Sequence, residues 1–231
     1  MLVAVTGASG LIGTALARRL EAEGHQVLRL TRSRPTGPGQ VQWDPAAGRL
    51  DPDALAKADA VVHLAGVVRQ WEAAADPARA AGLRVVHLRT GPVQDASGAG
   101  LPKQALLFRL GLGGRFGSGR QWLSWIALDD IAGAYLHALT RDDLDGPVNT
   151  AAPNPVTNAE FTTTLARVLR RPAVLHVPAF APRLVLGEFA DEMLFASIRA
   201  LPARLQETGY RFRFPELEAA LRHTLGRPGR G

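Results

Sequence analysis

Apolar and polar residues follow two distinct periods along the first third of this chain. Residues 2–6 form a short apolar run, residues 11–23 place Leu16, Ala17 and Leu20 on one helical face, and residues 26–30 return to a strand-like alternation. Gly7, Gly10 and Gly13 lie between the first strand and the helix, and Gly24 closes the helix. Strand, helix and strand within about 30 residues predict a βαβ unit. Residues 41–43 predict a short strand and 51–58 a short helix. Residues 60–64 are an apolar run of the kind buried on both faces of a parallel sheet. A helix over 70–81, closed by Gly82, and a strand over 84–88 complete a second βαβ of ordinary length.

Beyond Gly91 the texture changes. A glycine-rich segment at 111–119 leads into an aromatic stretch and a helix over 129–140. A strand is predicted at 147–151, a helix at 158–169 capped by Thr157 or Asn158, a strand at 173–177, and helices at 182–194 and 215–225. With no repeat or low-complexity linker, the expected fold is α/β: a Rossmann-type, doubly wound parallel sheet with a small, mainly helical C-terminal lobe. The expected division is 1–155 for the nucleotide-binding domain and 156–231 for the lobe.

Composition narrows the chemistry. The chain has 231 residues and no cysteine, which excludes disulfides, thiolate metal sites and cysteine nucleophiles. Its six histidines, at 25, 63, 87, 137, 176 and 223, show no paired metal-ligand spacing, so no metal is expected. The formal charge is +6, carried almost wholly by arginine, with Lys57 and Lys103 the only lysines. These arginines form no compact run, so the expectation is a site for anionic phosphates and no nucleic-acid partner. No apolar run approaches the roughly 20 residues of a membrane span, and residues 1–5 already read as a strand rather than a leader. A cytoplasmic monomer or homodimer acting on a small-molecule substrate is therefore expected.

The glycine turn carries the strongest chemistry. Gly7 permits the tight turn, Gly10 lets backbone approach a pyrophosphate, and Gly13 lets the helix pack close to the sheet. Ser9, Leu11 and Ile12 complete the segment whose N–H groups, with the positive end of the helix, would hold the phosphates. At the end of the second strand, an acid would bind a ribose 2′-hydroxyl and an arginine would accept a 2′-phosphate. The chain has Arg32 there, followed by Ser33 and Arg34, so NADP (NADPH) is favoured over NAD. Leu64, Ala65 and Gly66, ending the 60–64 run, would line the ribose side. His63 within that run reads as a core residue. Asp59 would cap the strand start or meet the glycine loop. Between Gly111 and Trp122 the flexible loop offers Arg115 and Arg120, whose guanidinium forks suit oxyanions. Arg120, Gln121 and Trp122 are the candidate substrate contacts, while for both Trp122 and Trp125 the readings are stacking on a ring or, more commonly, filling the core.

Short-chain reductases work through Tyr-x-x-x-Lys, in which the ammonium favours the phenolate. The only tyrosines are Tyr135 and Tyr210, and four residues beyond them stand Leu139 and Phe214. The catalytic residues are therefore unassigned.

Several stretches together resemble the extended short-chain dehydrogenase/reductases, the group containing the nucleotide-sugar epimerases. They are TGASGLIG at 6–13, DAVVHLAG at 59–66, RVVHLRTG at 84–91 and GLGGRFGSGRQWLSWIALDDIAGA at 111–134, with NPVTNAEF at 154–161 and the tract from 201 to 221. The chain is most similar to an atypical branch of epimerase-like NADP-dependent oxidoreductases, in which a Rossmann domain precedes a small C-terminal domain of unassigned function. That resemblance implies NADP chemistry on a carbonyl or nucleotide-sugar-like substrate. It also exposes two departures. Between Gly66 and Trp71 the branch carries a helix, a serine-ended strand and the reactive part of the site, about 70 residues that the resemblance implies are missing here. Ala127 stands where relatives commonly have histidine. The resulting readings are an NADP-dependent oxidoreductase or epimerase, or a catalytically silent NADP-binding or regulatory protein.

Overall fold

The computed structural model describes residues 1–44, 49–64, 72, 75–98, 100–178 and 196–227. Its strands are β1 (Leu2–Thr6), β2 (Gln26–Thr31), β3 (Gln40–Asp44), β4 (Arg49–Leu50), β5 (Ala60–Val62), β6 (Val86–Thr90), β7 (Val93–Gln94), β8 (Gly114–Phe116), β9 (Trp122–Leu123), β10 (Ile126–Ala127), β11 (Gly146–Thr150), β12 (Val156–Thr157) and β13 (Leu175–Val177). The helices among these residues are α1 (Leu11–Ala22), α2 (Pro52–Ala56), α3 (Asp76–Ala80), α4 (Leu101–Arg109), α5 (Leu128–Thr140), α6 (Asn158–Leu169), α7 (Ala203–Glu207) and α8 (Leu217–Thr224). Two compact units result, one from Met1–His87 with Ala132–Pro147, the other from Leu88–Ile131 with Val148–Gly231.

The first unit is built on a five-stranded sheet in the order β4-β3-β2-β1-β5. β1 pairs in parallel with β2 and β5, and β2 with β3, while β4 returns antiparallel along β3. This is the Rossmann arrangement, in which the chain starts in the middle of its sheet and winds outward. β1 is central because Val3, Ala4 and Val5 leave nothing for water. Helix α1 lays Leu16, Ala17 and Leu20 over Val3, Val5, Val27 and Val62, and Tyr135, Leu136 and Leu139 of α5 join the same cluster. Complete burial of Leu16 and Leu20 is worth about 2 kcal/mol each. Asp51 opens α2 by accepting from the N–H groups of Asp53 and Ala54. Arg84 donates to the carbonyls of Ala138, Leu139 and Leu144, satisfying acceptors around the end of α5.

β5 departs from expectation. The 60–64 run, predicted to be buried on both faces, is buried on one. Val62 is 6% exposed in the core, but Val61 is 52% exposed and His63 faces solvent. Alternate residues of a strand serve opposite layers. Here the layer of α1 covers Val62, and among the described residues no matching cover lies over Val61. β6 also starts two residues later than predicted, because Arg84 turns its side chain to α5.

The second unit closes around Trp125, Phe161, Leu165, Leu169, Leu217 and Leu221. Trp125 is fully buried, as its sequence context predicts, and its Nε1 donates to the Asn154 carbonyl at 3.0 Å. Thr157 and Glu160 form a reciprocal capping box that starts α6 at the predicted residue. The predicted helix at 215–225 is present as Leu217–Thr224. The expected helix at 182–194 lies outside the described residues, as do residues 70, 71, 73 and 74 of the one at 70–81, of which Asp76–Ala80 is seen. Helix α4 has no counterpart in the sequence reading. Leu101, Ala105 and Phe108 bury one helical stripe, but Leu106, Leu107, Leu110 and Leu112 are exposed and blur its period.

Candidate dinucleotide site

The glycine turn joins the carboxyl end of β1 to α1. Gly7 holds φ at +63°, a conformation that L side chains rarely adopt, and its carbonyl accepts from Gly10 N at 2.9 Å. A Cβ on Gly13 would lie 2.2 Å from the Gly7 oxygen and 2.7 Å from Ala8 Cα, so only glycine lets α1 come this close to the turn. Gly10 is exposed, with a prospective Cβ 3.2 Å from the same oxygen. Thr14 braces the turn by donating from Oγ1 to the Ala8 carbonyl. Helix α1 begins without a side-chain cap and has no acid in its first turn. The N–H groups at Leu11, Ile12 and Gly13, beside exposed Ser9, therefore face an electropositive terminus suited to pyrophosphate oxygens.

A hydroxyl that sequence reasoning passed over ties this turn to β5. Thr6, 3% exposed, accepts from Leu64 N at 3.1 Å and shares a 2.9 Å hydrogen bond with His63 Nδ1. It sets the spacing between Gly7 and Leu64, whose Cβ would stand 3.4 Å from a Cβ on Gly7. The available signal was a polar residue ending an otherwise apolar strand. His63, taken as core, also meets Trp43 edge-on at 5.6 Å. Asp59 caps the sheet by accepting from Leu2 N at 2.7 Å.

Arg32 and Arg34 follow β2 on the exposed side, and neither makes a hydrogen bond or ion pair among the described residues. Ser33 donates its N–H to Thr31 Oγ1 at 3.2 Å, which bends the chain directly after the strand. Ala65 and Gly66 lie outside the described residues.

The candidate substrate residues belong to the second unit, and the structure gives them local roles. Gln121 donates its amide to the Phe116 carbonyl, and Arg120 N donates to Ser118 Oγ, which fix the turn between β8 and β9. Arg120 keeps its guanidinium in solvent. Trp122 is half-buried, with Arg199 4.8 Å over its ring and its N–H donating to Ser197 Oγ. Ser124 fastens the same tract by donating to Ile198 O and accepting from Ala200 N.

At the start of α5, Asp130 is 1% exposed and its carboxylate accepts from Arg213 N at 2.6 Å and Phe214 N at 3.0 Å. Burial raises its pKa above 3.8, and the backbone donors oppose that shift without cancelling it. The Tyr210 hydroxyl donates to the Asp130 carbonyl at 2.7 Å, so this tyrosine is committed to structure. Among the described residues there is no cluster of three potential metal ligands, and no helix is long and apolar enough to cross a membrane.

Parallel order, glycine turn and uncapped helix terminus together define a Rossmann-type dinucleotide-binding fold. The chain belongs to the NAD-dependent epimerase/dehydratase family, in the extended short-chain dehydrogenase/reductase group, whose model matches residues 3–89. A domain of unknown function, DUF1731, matches residues 177–224. Among its relatives, epimerase family protein Mb2239 of Mycobacterium bovis is 36% identical over 297 positions, covering 99% of each chain. Human epimerase family protein SDR39U1 is 32% identical over 301 positions, covering 97% of this chain and all of that one. The crystal structure of human SDR39U1 (isoform 2) with NADPH superposes with a TM-score of 0.83 at 29% identity, covering 99% of this chain and all of the other. The alignment with the bovine mycobacterial relative runs 66 positions beyond the 231 residues of this chain, so gaps of at least that total length fall on this side.

Proposed function

We propose that this chain binds NADP(H) at the Gly7–Gly13 turn and that it is an oxidoreductase or epimerase-like protein acting on a carbonyl or nucleotide-sugar-like substrate. The observation that carries the reading is Arg32. It is an exposed guanidinium without a partner among the described residues, placed where β2 ends next to a turn that only glycine can form. Leu11, Ile12 and Gly13 would present N–H groups to the pyrophosphate, while Arg32, with Ser33 and Arg34, would hold the 2′-phosphate. Leu64, Ala65 and Gly66 would border the ribose, and Thr6 fixes Leu64 for that purpose. When bound, the nicotinamide supplies or accepts hydride. The NADPH bound to the related human protein supports the cofactor choice. Arg120, Gln121 and Trp122 remain the proposed substrate contacts, on the guanidinium left in solvent and the half-buried ring.

A second reading, a catalytically silent NADP(H)-binding or regulatory protein, is favoured by a specific observation. Tyr210 is tied to Asp130, neither tyrosine has a lysine four residues on, and the family alignment leaves at least 66 positions unfilled. We place the larger part of that gap between Gly66 and Trp71, where it would remove the serine-ended strand. Titration with NADPH tests binding, and the expected result is saturable fluorescence enhancement. A panel of carbonyl compounds and nucleotide sugars then divides the readings: turnover establishes the enzyme, and tight binding without cofactor consumption establishes the silent form. Absence of saturable binding overturns both.

A further inference from the structure

The second unit carries a pocket whose lining residues all lie outside the dinucleotide turn. β8 and β13 run parallel with His176 directly opposite Arg115, so the guanidinium and the imidazole project from the same face of this two-stranded ribbon. They open onto a pocket of about 240 Å³ whose other walls include Ala159, Thr162, Thr163 and Val174. Gly114 makes this pairing possible, since a Cβ there would sit 2.2 Å from the Leu175 carbonyl oxygen. Gly119 in turn leaves room for the Arg115 side chain, which passes 3.3 Å from the position its Cβ would take.

The charge around this pocket is one-sided. Among the described residues no aspartate or glutamate lines the pocket, and Arg170 and Arg171 precede its Ala173 wall in sequence. Glu160, next to the wall residue Ala159, is engaged with the backbone and hydroxyl of Thr157. Neither Arg115 nor His176 has an ion-pair partner among the described residues. An arginine fork beside an imidazole, which can donate from a ring N–H, is matched by an oxyanion. Val174, 82% exposed, adds an apolar wall beside Arg115 and His176.

We propose that this pocket binds a small organic oxyanion, a phosphate- or carboxylate-headed molecule with a short apolar body, its head on Arg115 and His176 and its body against Val174 and Ala159. Thr163 Oγ1 already donates to the Ala159 carbonyl, so its hydroxyl offers lone pairs rather than its proton, and the Arg115 guanidinium with the His176 ring carries recognition. The site is separate from the turn proposed for NADP(H), and the proposal does not depend on that reading.

The test is a titration of the isotopically labelled full chain, followed by amide and imidazole resonances, with inorganic phosphate in one arm and butyrate in the other. Each arm is run with and without saturating NADPH. Saturable shifts at residues 115, 162–163 and 174–176 in either arm, unchanged by NADPH, are expected, and the responding arm identifies the head group. Losing one charge-assisted contact in Arg115→Ala should weaken binding about tenfold or more. His176→Phe, which keeps the ring volume, should weaken it without changing the melting temperature. No saturable shift at these residues overturns the proposal. So does equal binding by the Arg115→Ala variant, or displacement by NADPH, which would mean that the probe reports the dinucleotide turn instead.

Discussion

Two of the places where backbone N–H groups converge in this molecule are finished differently. At Asp130 a buried carboxylate accepts from Arg213 N and Phe214 N, and the Tyr210 hydroxyl fills the adjoining carbonyl. At the Gly7–Gly13 turn the helix starts with no side-chain cap, no acid in its first turn, and its glycine N-cap exposed. The donors are the same, so the difference lies in who supplies the acceptor. Where the protein supplies it, the result is a clamp that holds residues 210–214 to α5. Where it does not, an anion from outside is the natural partner.

Breaking the turn should have the largest effect. A Gly13→Ala side chain would collide with the Gly7 carbonyl, and backbone cannot yield as a flexible side chain would. A loss of about 3 kcal/mol or more is expected, at the upper end for overpacking. The denaturant midpoint should fall and NADPH binding disappear. A variant that melts and binds normally would show that the turn and helix are not packed this closely.

Asp130→Ala comes next, because it strips both N–H groups of their acceptor in a buried place. Two unsatisfied donors cost about 3 kcal/mol together. NADPH affinity of the folded fraction should be unaffected, which separates a structural clamp from a ligand site. The same carboxyl has a pH signature. Its folded pKa is raised above 3.8, so the folded state binds its proton more tightly than the unfolded state does. The stability this contributes is complete below pH 3.8 and is lost as pH rises through the folded value. Urea midpoints of the parent chain relative to Asp130→Asn should therefore decline over that interval. A rising difference would contradict the direction of the shift.

Arg32→Glu tests the open side of the comparison. Replacing a cation by an anion beside a 2′-phosphate should weaken NADPH roughly 10- to 100-fold while leaving NADH within a few-fold. Parallel losses for both cofactors would remove Arg32 from the site.

Gly7, Gly10 and Gly13 were legible in the sequence because each answers to a local backbone demand, and α6 began at its predicted residue because a capping box is written in four consecutive positions. The Thr6 bridge was not legible, since its partners His63 and Leu64 are 57 and 58 residues away. The Asp130 clamp spans over 80 residues and could not be read from spacing either. Helix α4 was hidden by its two exposed leucines, Leu106 and Leu107, and by Leu110 and Leu112 just beyond it, which erase the polar half of the helical pattern. The 60–64 run misled in the opposite sense, because an apolar sequence tells what a strand could bury and not what covers it.

That last point yields the smallest expected effect. Val61 and Val62 are neighbours of the same residue type on one strand, yet one is 52% exposed and the other 6%. Exchanging a methyl for a hydroxyl on the open side should change stability by less than about 0.5 kcal/mol, the usual limit for surface positions. In Val62→Thr the hydroxyl would be buried among Val3, Val5 and Leu16 without an obvious partner, at a cost of about 1–3 kcal/mol. Chemical denaturation of the two variants measures the contrast. Equal costs at Val61 and Val62 would mean that Val61 is covered in solution, and a concentration-dependent midpoint in the parent chain would then identify a second copy as the cover. Unequal costs would leave β5 with one apolar face open, as an unfilled acceptor leaves the N–H groups of α1 open at the turn.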